Sequence, residues 1–383
     1  MKIGIVTLEI FWVHRNVGTL LQNYSLVEAL VELGHDAYNI SRFFRMKPQW
    51  NKPKAPYVNI FDALRKFVKS PGGFIREYKD YKHRLYYDFE RPWSFKTFYE
   101  SRVRNSGTLY NRKTFLETPP PGDCYICGSD QVWTPADRAE VFLDWAPEGK
   151  RIAYAVSRPW AKTTDEWLAV AGKELPYFAG VSVREEDGLE VVRKAGRSDA
   201  VVAIDPVFLH DDAWYTQKLG LTTRQEKYLF LYVLNITSLD MIPFDAILQY
   251  CRSNNLKLKA IASQGAENVI PRKYLVKADP VEFMNIVKNA ACIVTNSFHG
   301  CVFSYIFKKP FAAMLQEGKT LAENARFKTL FNKCDEVYRI VSKNQATEKF
   351  SELLKMPPTA AQAKIAEWRD SSISFLKKAI SSI

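Results

Sequence analysis

Residues 289–310 read Asn289-Ala-Ala-Cys-Ile-Val-Thr-Asn-Ser-Phe-His-Gly-Cys-Val-Phe-Ser-Tyr-Ile-Phe-Lys-Lys-Pro310, and the order of residue types in this run decides the fold. Cys292 to Thr295 is short, apolar and β-branched, which predicts a buried strand. Asn296 to Gly300 is polar and predicts a loop, Cys301 to Phe307 an apolar helix, and Lys308-Lys309-Pro310 closes the unit. Strand, polar loop and helix form the half-unit of a parallel α/β sheet, whose ligands bind beyond the carboxyl ends of the strands. The helix that follows offers free N–H donors and positive potential to an anion. His299 in this loop, with Ser297 beside it and Gly300 permitting close approach, suits proton transfer on an anionic substrate. A histidine that merely caps the loop is the competing reading, and the surrounding context favours the functional one.

Working outward, the same pattern recurs. Lys2–Leu8 predicts a strand, 9–18 a loop, and Thr19–Leu33 a helix with apolar residues at Leu20, Leu21, Tyr24, Val27 and Leu30. Gly34 stands at the helix stop and Asp36–Ile40 returns as a second strand. The loop Arg15-Asn-Val-Gly18 lacks the Gly-x-Gly-x-x-Gly of dinucleotide sites, so no nicotinamide or flavin cofactor is expected. Further strands at Cys124–Cys127, Arg151–Val156, Phe178–Val183 and Val201–Ile204 each end in a polar cluster. Several carboxyl-end loops building one site would look like this. Residues 222–227 form a polar linker, after which strands at 228–234, 257–262 and 292–295 alternate with helices.

The expected fold is therefore α/β, two Rossmann-like domains facing a cleft. Residues 1–221 form the first and 222–358 the second, carrying His299; a helix over 359–383 packs back on the body. A chain of 383 residues exceeds what one core usually serves.

Net charge is +12, and most of it is local: 16 Lys/Arg against 6 Asp/Glu between Arg42 and Arg104. Aromatics interleave there, including Phe43, Phe44, Trp50, Phe61, Phe67, Phe74 and Trp93. This basic, aromatic-rich segment reads as a helical insertion of about 42–118 in the first domain. It is either a solvated element whose aromatic face packs on the body or a contact with an anionic membrane surface or an anionic substrate. No zinc-finger, RNP or helix-turn-helix signature supports nucleic acid. The six cysteines are scattered through apolar runs, as reduced core thiols are. Cys124 and Cys127 on one strand face opposite ways, so no metal site is expected there. The N-terminus lacks a signal-peptide pattern and no apolar run spans a bilayer. A cytoplasmic protein, peripheral at the inner membrane face, is the expectation.

Candidate binding residues follow from the strand ends. Arg184, closing a strand, could hold a carboxylate or phosphate as a bidentate fork, or pair with Glu185 or Glu186. Ser129, Asp130 and Gln131 could hold sugar hydroxyls or form an Asx-turn. Asn16 and Gly18 could meet a ligand or only shape their loop. Asp205-Pro206 reads as a strand-ending turn. The chain has no Walker A loop, His-Glu-x-x-His or Gly-x-Ser-x-Gly. A metal-independent reaction on an anionic substrate fits these features.

Six ordered blocks resemble the polysaccharide pyruvyl transferase family. They are Asn16-Val-Gly-Thr-Leu-Leu-Gln-Asn-Tyr-Ser-Leu26 with Leu33-Gly-His35, Gly128-Ser-Asp-Gln-Val-Trp133, Ile152-Ala-Tyr-Ala-Val-Ser157, Ser182-Val-Arg-Glu185, Asp205-Pro206 through Trp214, and Thr295-Asn-Ser-Phe-His-Gly300 with Lys309-Pro-Phe311. The resemblance implies a glycosyltransferase-B-like pair of lobes. It also implies transfer of an enolpyruvyl unit from phosphoenolpyruvate to two hydroxyls of a saccharide acceptor, lipid-linked in some settings. The product is a pyruvate ketal on a capsular, exopolysaccharide or cell-wall glycan. His299 is the matching acid and Arg184 the matching donor-carboxylate ligand. Ser157, Arg158, Ser297, Gly300 and Lys309 join the substrate contacts, with no cofactor beyond the donor. Two departures stand out: Arg158-Pro159-Trp160 replaces a small residue, and a later Arg-rich stretch is reduced to Asn324-Ala-Arg326. A glycosyltransferase with a nucleotide-sugar donor, and a non-catalytic glycan- or anion-binding protein, are the alternatives.

Overall fold

The computed structural model describes residues 1–8, 16–42, 52–57, 59–134 and 139–383. Most of the loop at 9–18, and the insertion's Phe43, Phe44 and Trp50, lie outside them.

Two parallel sheets form the frame. The first contains β1 (Lys2–Val6), β2 (Asp36–Asn39), β3 (Cys124–Cys127), β4 (Arg151–Val156), β5 (Phe178–Val183) and β6 (Val201–Val202), in the order β2-β1-β3-β4-β5-β6. The second contains β7 (Tyr228–Leu234), β8 (Lys257–Ser263), β9 (Cys292–Thr295) and β10 (Phe311–Ala313), in the order β10-β9-β7-β8. Every residue of β3, β4, β7 and β9 is buried, as in strands covered by helices on both faces. Each sheet reverses its direction of growth once among these pairings. β1 pairs with β2 on one side and β3 on the other; β7 pairs with β8 and β9. Ligand crevices open beside such switch points, at the carboxyl ends.

One continuous apolar core joins the facing sides of the two sheets, and a separate core covers the far side of each. Cys124 lies in the shared core and Cys127 in the outer one, as strand alternation requires. All six cysteines are free and buried, and burial pushes the Cys124 and Cys127 thiols up to about 12.

Two boundaries differ from the sequence reading. β6 stops at Val202 rather than Ile204, and the Ile204 N–H donates instead to Ser372 Oγ of the C-terminal helix Ala361–Ser381. That helix returns to the first sheet, with Ala379 against Gly180 and Arg369 donating to the Phe208 carbonyl. The helix after β9 begins at Phe298, not Cys301, because Ser297 Oγ caps the Gly300 N–H at 3.3 Å. His299 thus sits in a helical first turn rather than a loop.

The insertion has two unlike halves. The hairpin of helices Ile60–Lys69 and Pro71–Arg84 buries no residue. The segment that follows, a wide π-type turn over Leu85–Glu90 and the helix Arg91–Arg102, packs firmly. Phe95, Phe98 and Tyr99 cover the helix Val17–Glu32. Tyr86 and Arg91 reach the second lobe: Tyr86 Oη bonds both the N–H and C=O of Ala278, and Arg91 donates to Ala262 and Ser263. Among the described residues no helix is long and apolar enough to cross a membrane.

Candidate active site between the lobes

Both switch points open onto one cavity of about 500 Å³ between the lobes. The first lobe contributes Asn16 and Thr19 after β1 and Asp130 and Gln131 after β3. The second contributes Asn235 after β7, Gln264 after β8, and Ser297 and His299 after β9. Asp130, Asn235 and Gln264 all have positive φ, near 60°. Non-glycine residues adopt that conformation at a cost, and such strain collects where loops present side chains to ligands.

His299 is the centre of the arrangement. Its side chain is buried, yet it lines the cavity. Nε2 faces Asp205 Oδ2 at 3.5 Å, too long for a good hydrogen bond but close enough for strong ionic attraction. Gly18 packs directly against the ring, where a methyl group would overlap the imidazole. Gly18 therefore serves His299 rather than a ligand. Gly300 likewise lets Thr295 approach, since its missing methyl would overlap Thr295 Oγ1.

Behind Asp205 lies a buried charge hub. Arg184 donates from Nε to Glu185 Oε1 at 2.9 Å, from Nη1 to Asp205 Oδ2 at 2.8 Å, and from Nη2 to Ser157 Oγ at 3.1 Å. Asp130 is a further 3.7 Å neighbour, and the guanidinium lies over the Phe298 ring. Burial opposes the Arg184 charge, but Glu185, Asp205 and Asp130 together hold it more firmly protonated than a free arginine. Burial alone would raise the Asp205 carboxyl; His299, then Arg184 and the Val207 N–H, bring it down to about 2. An anionic Asp205 thus stands between the Arg184 guanidinium and the His299 imidazole. Ser157 and the Trp160 indole both donate to Glu185, closing the hub.

The fork expected of Arg184 is consequently occupied by the protein's own carboxylates, and neither Arg184 nor Ser157 lines the cavity. Arg158 also turns away. It lies 4.4 Å over the Trp167 ring, donates to the Lys162 carbonyl, and is lowered by burial to about 10. Lys309 follows the far end of the helix Phe298–Ile306, roughly 15 Å along the chain from His299 at 1.5 Å per residue. Lys309 cannot reach an anion at that helix's N-terminus. Ser129 is buried beside the site, its carbonyl accepting from Thr7. Asn16 Oδ1 caps the Gly18 N–H, and Asp130 Oδ2 accepts from Thr19 at 2.7 Å.

Two residues gain weight from the geometry. Asp205, read as a turn residue, faces the imidazole. Arg326 lines the cavity with its Nε buried and without a hydrogen-bond partner, while Nη2 donates to Glu323. The segment carrying Arg326 is fixed by Asn324, whose amide exchanges two hydrogen bonds with the Gln316 backbone. The sequence signals for Asp205 were its position at a strand's carboxyl end and its place in one of the six ordered blocks. Arg326 had only the reduced Arg-rich stretch. Among the described residues no cluster of three His, Cys, Asp or Glu side chains is arranged to hold a metal.

Fold and site define a two-lobed, glycosyltransferase-B-like α/β protein with an interlobe cavity. Solved structures agree on the fold. UDP-GlcNAc 2-epimerase from Neisseria meningitidis matches with TM-score 0.54 at 10% identity, over 99% of this chain and 100% of that one. The S. aureus MnaA–UDP structure matches with TM-score 0.50 at 11% identity, over 99% and 97%. No curated protein matches in sequence. The model of the polysaccharide pyruvyl transferase family matches residues 16–316. The chain belongs to that family.

Proposed function

We propose that this protein transfers the enolpyruvyl unit of phosphoenolpyruvate to two hydroxyls of a saccharide, forming a pyruvate ketal in surface-glycan synthesis. The carrying observation is His299, placed on the cavity wall where both switch points meet, with the Asp205 carboxylate behind it. A carboxylate in that position orients the ring, so that the other ring nitrogen is presented for the proton transfer a general acid performs.

In the reaction, the ring nitrogen of His299 that does not face Asp205 gives its proton to C3 of the donor. The double-bond electrons form the new C–H bond and leave cationic character at C2. One sugar hydroxyl bonds to C2, the bond from C2 to the phosphate oxygen breaks, and phosphate leaves with that electron pair. A neighbouring hydroxyl then closes the ketal. Of the two protons the hydroxyls release, one restores His299 and the other departs on phosphate.

Arg326, with a partnerless Nε at the cavity, suits the donor carboxylate, and the N-terminus of the helix Phe298–Ile306 suits the phosphate. Asp130, Gln131 and Asn16 suit the acceptor hydroxyls. Arg184 is a positioning residue, fixing Asp205 and through it the imidazole. Cytoplasmic placement at the inner membrane face fits a lipid-linked acceptor.

Thermal shift with phosphoenolpyruvate and with UDP-GlcNAc, followed by phosphate release with a panel of lipid-linked sugars, tests the reading. Stabilisation by phosphoenolpyruvate and acceptor-dependent phosphate release are expected. Stabilisation by the nucleotide sugar alone would transfer the site to glycosyl-transfer chemistry. Binding of glycan without phosphate release would leave a non-catalytic protein.

A further inference from the structure

The helix Ile60–Lys69 is unusual in burying nothing, although half of it is apolar. Phe61 is 78% and Val68 79% exposed, and Ile60, Leu64 and Phe67 are exposed beside them. At 100° per residue these five side chains share an arc of about 120°, the width of a face that normally seeks a core. Arg65, Lys66 and Lys69 take the opposite side. The second hairpin helix adds exposed Ile75 and Tyr78 together with Arg76 and Lys79. Residues 52–84 carry nine Lys/Arg against three Asp/Glu.

The hairpin is nonetheless a built element. Asn59 caps its first helix through the Asp62 N–H, and Pro71 starts the second. Tyr57, Phe67 and Tyr78 pack around Phe74, and Lys66 pairs with Glu77. Asp80 pairs with Arg272 of the second lobe. The exposed apolar face is therefore presented by an ordered scaffold.

We propose that this hairpin docks the protein on an anionic bilayer surface, the apolar face of the helix Ile60–Lys69 entering the headgroup boundary and the flanking cations meeting lipid phosphates. Charge complementarity selects the occupant. A second copy of the chain would bring one net-positive hairpin against another, whereas an anionic membrane offers both an apolar layer and negative potential. The geometry also gives docking a use. The hairpin runs without a break into the turn Leu85–Glu90 and Arg91, which bonds Ser263 Oγ beside the cavity residue Gln264. The cleft is thus tied to the docking element.

Vesicle co-sedimentation of the full chain tests this, comparing phosphatidylcholine alone with phosphatidylcholine containing phosphatidylglycerol. Binding is expected to the second and to weaken with added salt. Each exposed cation removed, as in Arg65→Gln or Lys69→Gln, is expected to weaken it about fivefold. Phe61→Gln combined with Val68→Gln is expected to abolish it with the melting temperature unchanged, since neither side chain supports the core. Equal affinity for both vesicles, no affinity for either, or unchanged binding by the double variant would overturn the proposal. Self-association lost in that variant without any lipid binding would overturn it in favour of a dimer contact. Lipid binding is read without catalysis, so its failure leaves the proposed reaction untouched.

Discussion

His299 is held on several sides by residues distant in sequence. The Gly18 backbone touches its ring and Asp205 faces Nε2, while its chain neighbour Phe298 packs edge-on at 5.2 Å. Removing the imidazole in His299→Ala is expected to lower phosphate release about 10²–10⁴-fold while circular dichroism stays that of the folded chain. Turnover within a few-fold of the parent would remove the acid assignment. Gly18→Ala asks a subtler question, because the new methyl must displace the ring. An overpacking cost of about 1–3 kcal/mol and a large fall in kcat are expected; an unaltered kcat would mean the ring's position is unimportant. Arg326→Gln is expected to raise the KM for phosphoenolpyruvate more than it lowers kcat, and an unchanged KM would exclude a donor contact. The changed role of Arg184 illustrates a limit of one-dimensional reading. Arg184 at a strand end looks the same whether its fork faces a ligand or three internal carboxylates.

At the scale of elements, the insertion divides by burial. Hydrophobic and basic residues alternate throughout it, so composition could not separate the hairpin that stays exposed from the segment Leu85–Arg102 that clasps the second lobe. Tyr86 is the clasp's hydrogen-bonding tip. Tyr86→Phe would strip the Ala278 N–H of its partner in a buried setting, at an expected cost of about 1–3 kcal/mol in urea unfolding. A cost near zero would mean that the contact is replaced by water. Helices and strands themselves were largely legible from periodicity. The helix after β9 was read three residues late because Phe298-His299-Gly300 looks polar at its centre, while the Ser297 cap that begins the helix there is a three-dimensional fact.

For the whole molecule, charge pairing across the cleft makes stability respond to acid. The Asp205 carboxyl, at about 2 in the fold, lies below its usual unfolded value near 3.9, so its contribution is complete above that value and is lost as pH falls toward 2. Asp205→Asn is expected to be less stable at neutral pH and to show a shallower loss between about pH 4 and 2. A stability loss between about pH 4 and 2 as steep as the parent's would refute the assignment.

The apolar periodicity of this chain determined two parallel α/β sheets, and six ordered motifs determined the family and drew attention to His299. Those signals are local, written in neighbours a few residues apart. Only the tertiary structure decided that Gly18, Asp205 and His299 meet, that Arg184 is enclosed by carboxylates, and that Arg326 rather than Lys309 or Arg158 faces the cavity. The physical reason is that side-chain pairing depends on the relative placement of two lobes. That placement is set by burial of a shared core, and no single stretch of sequence encodes it.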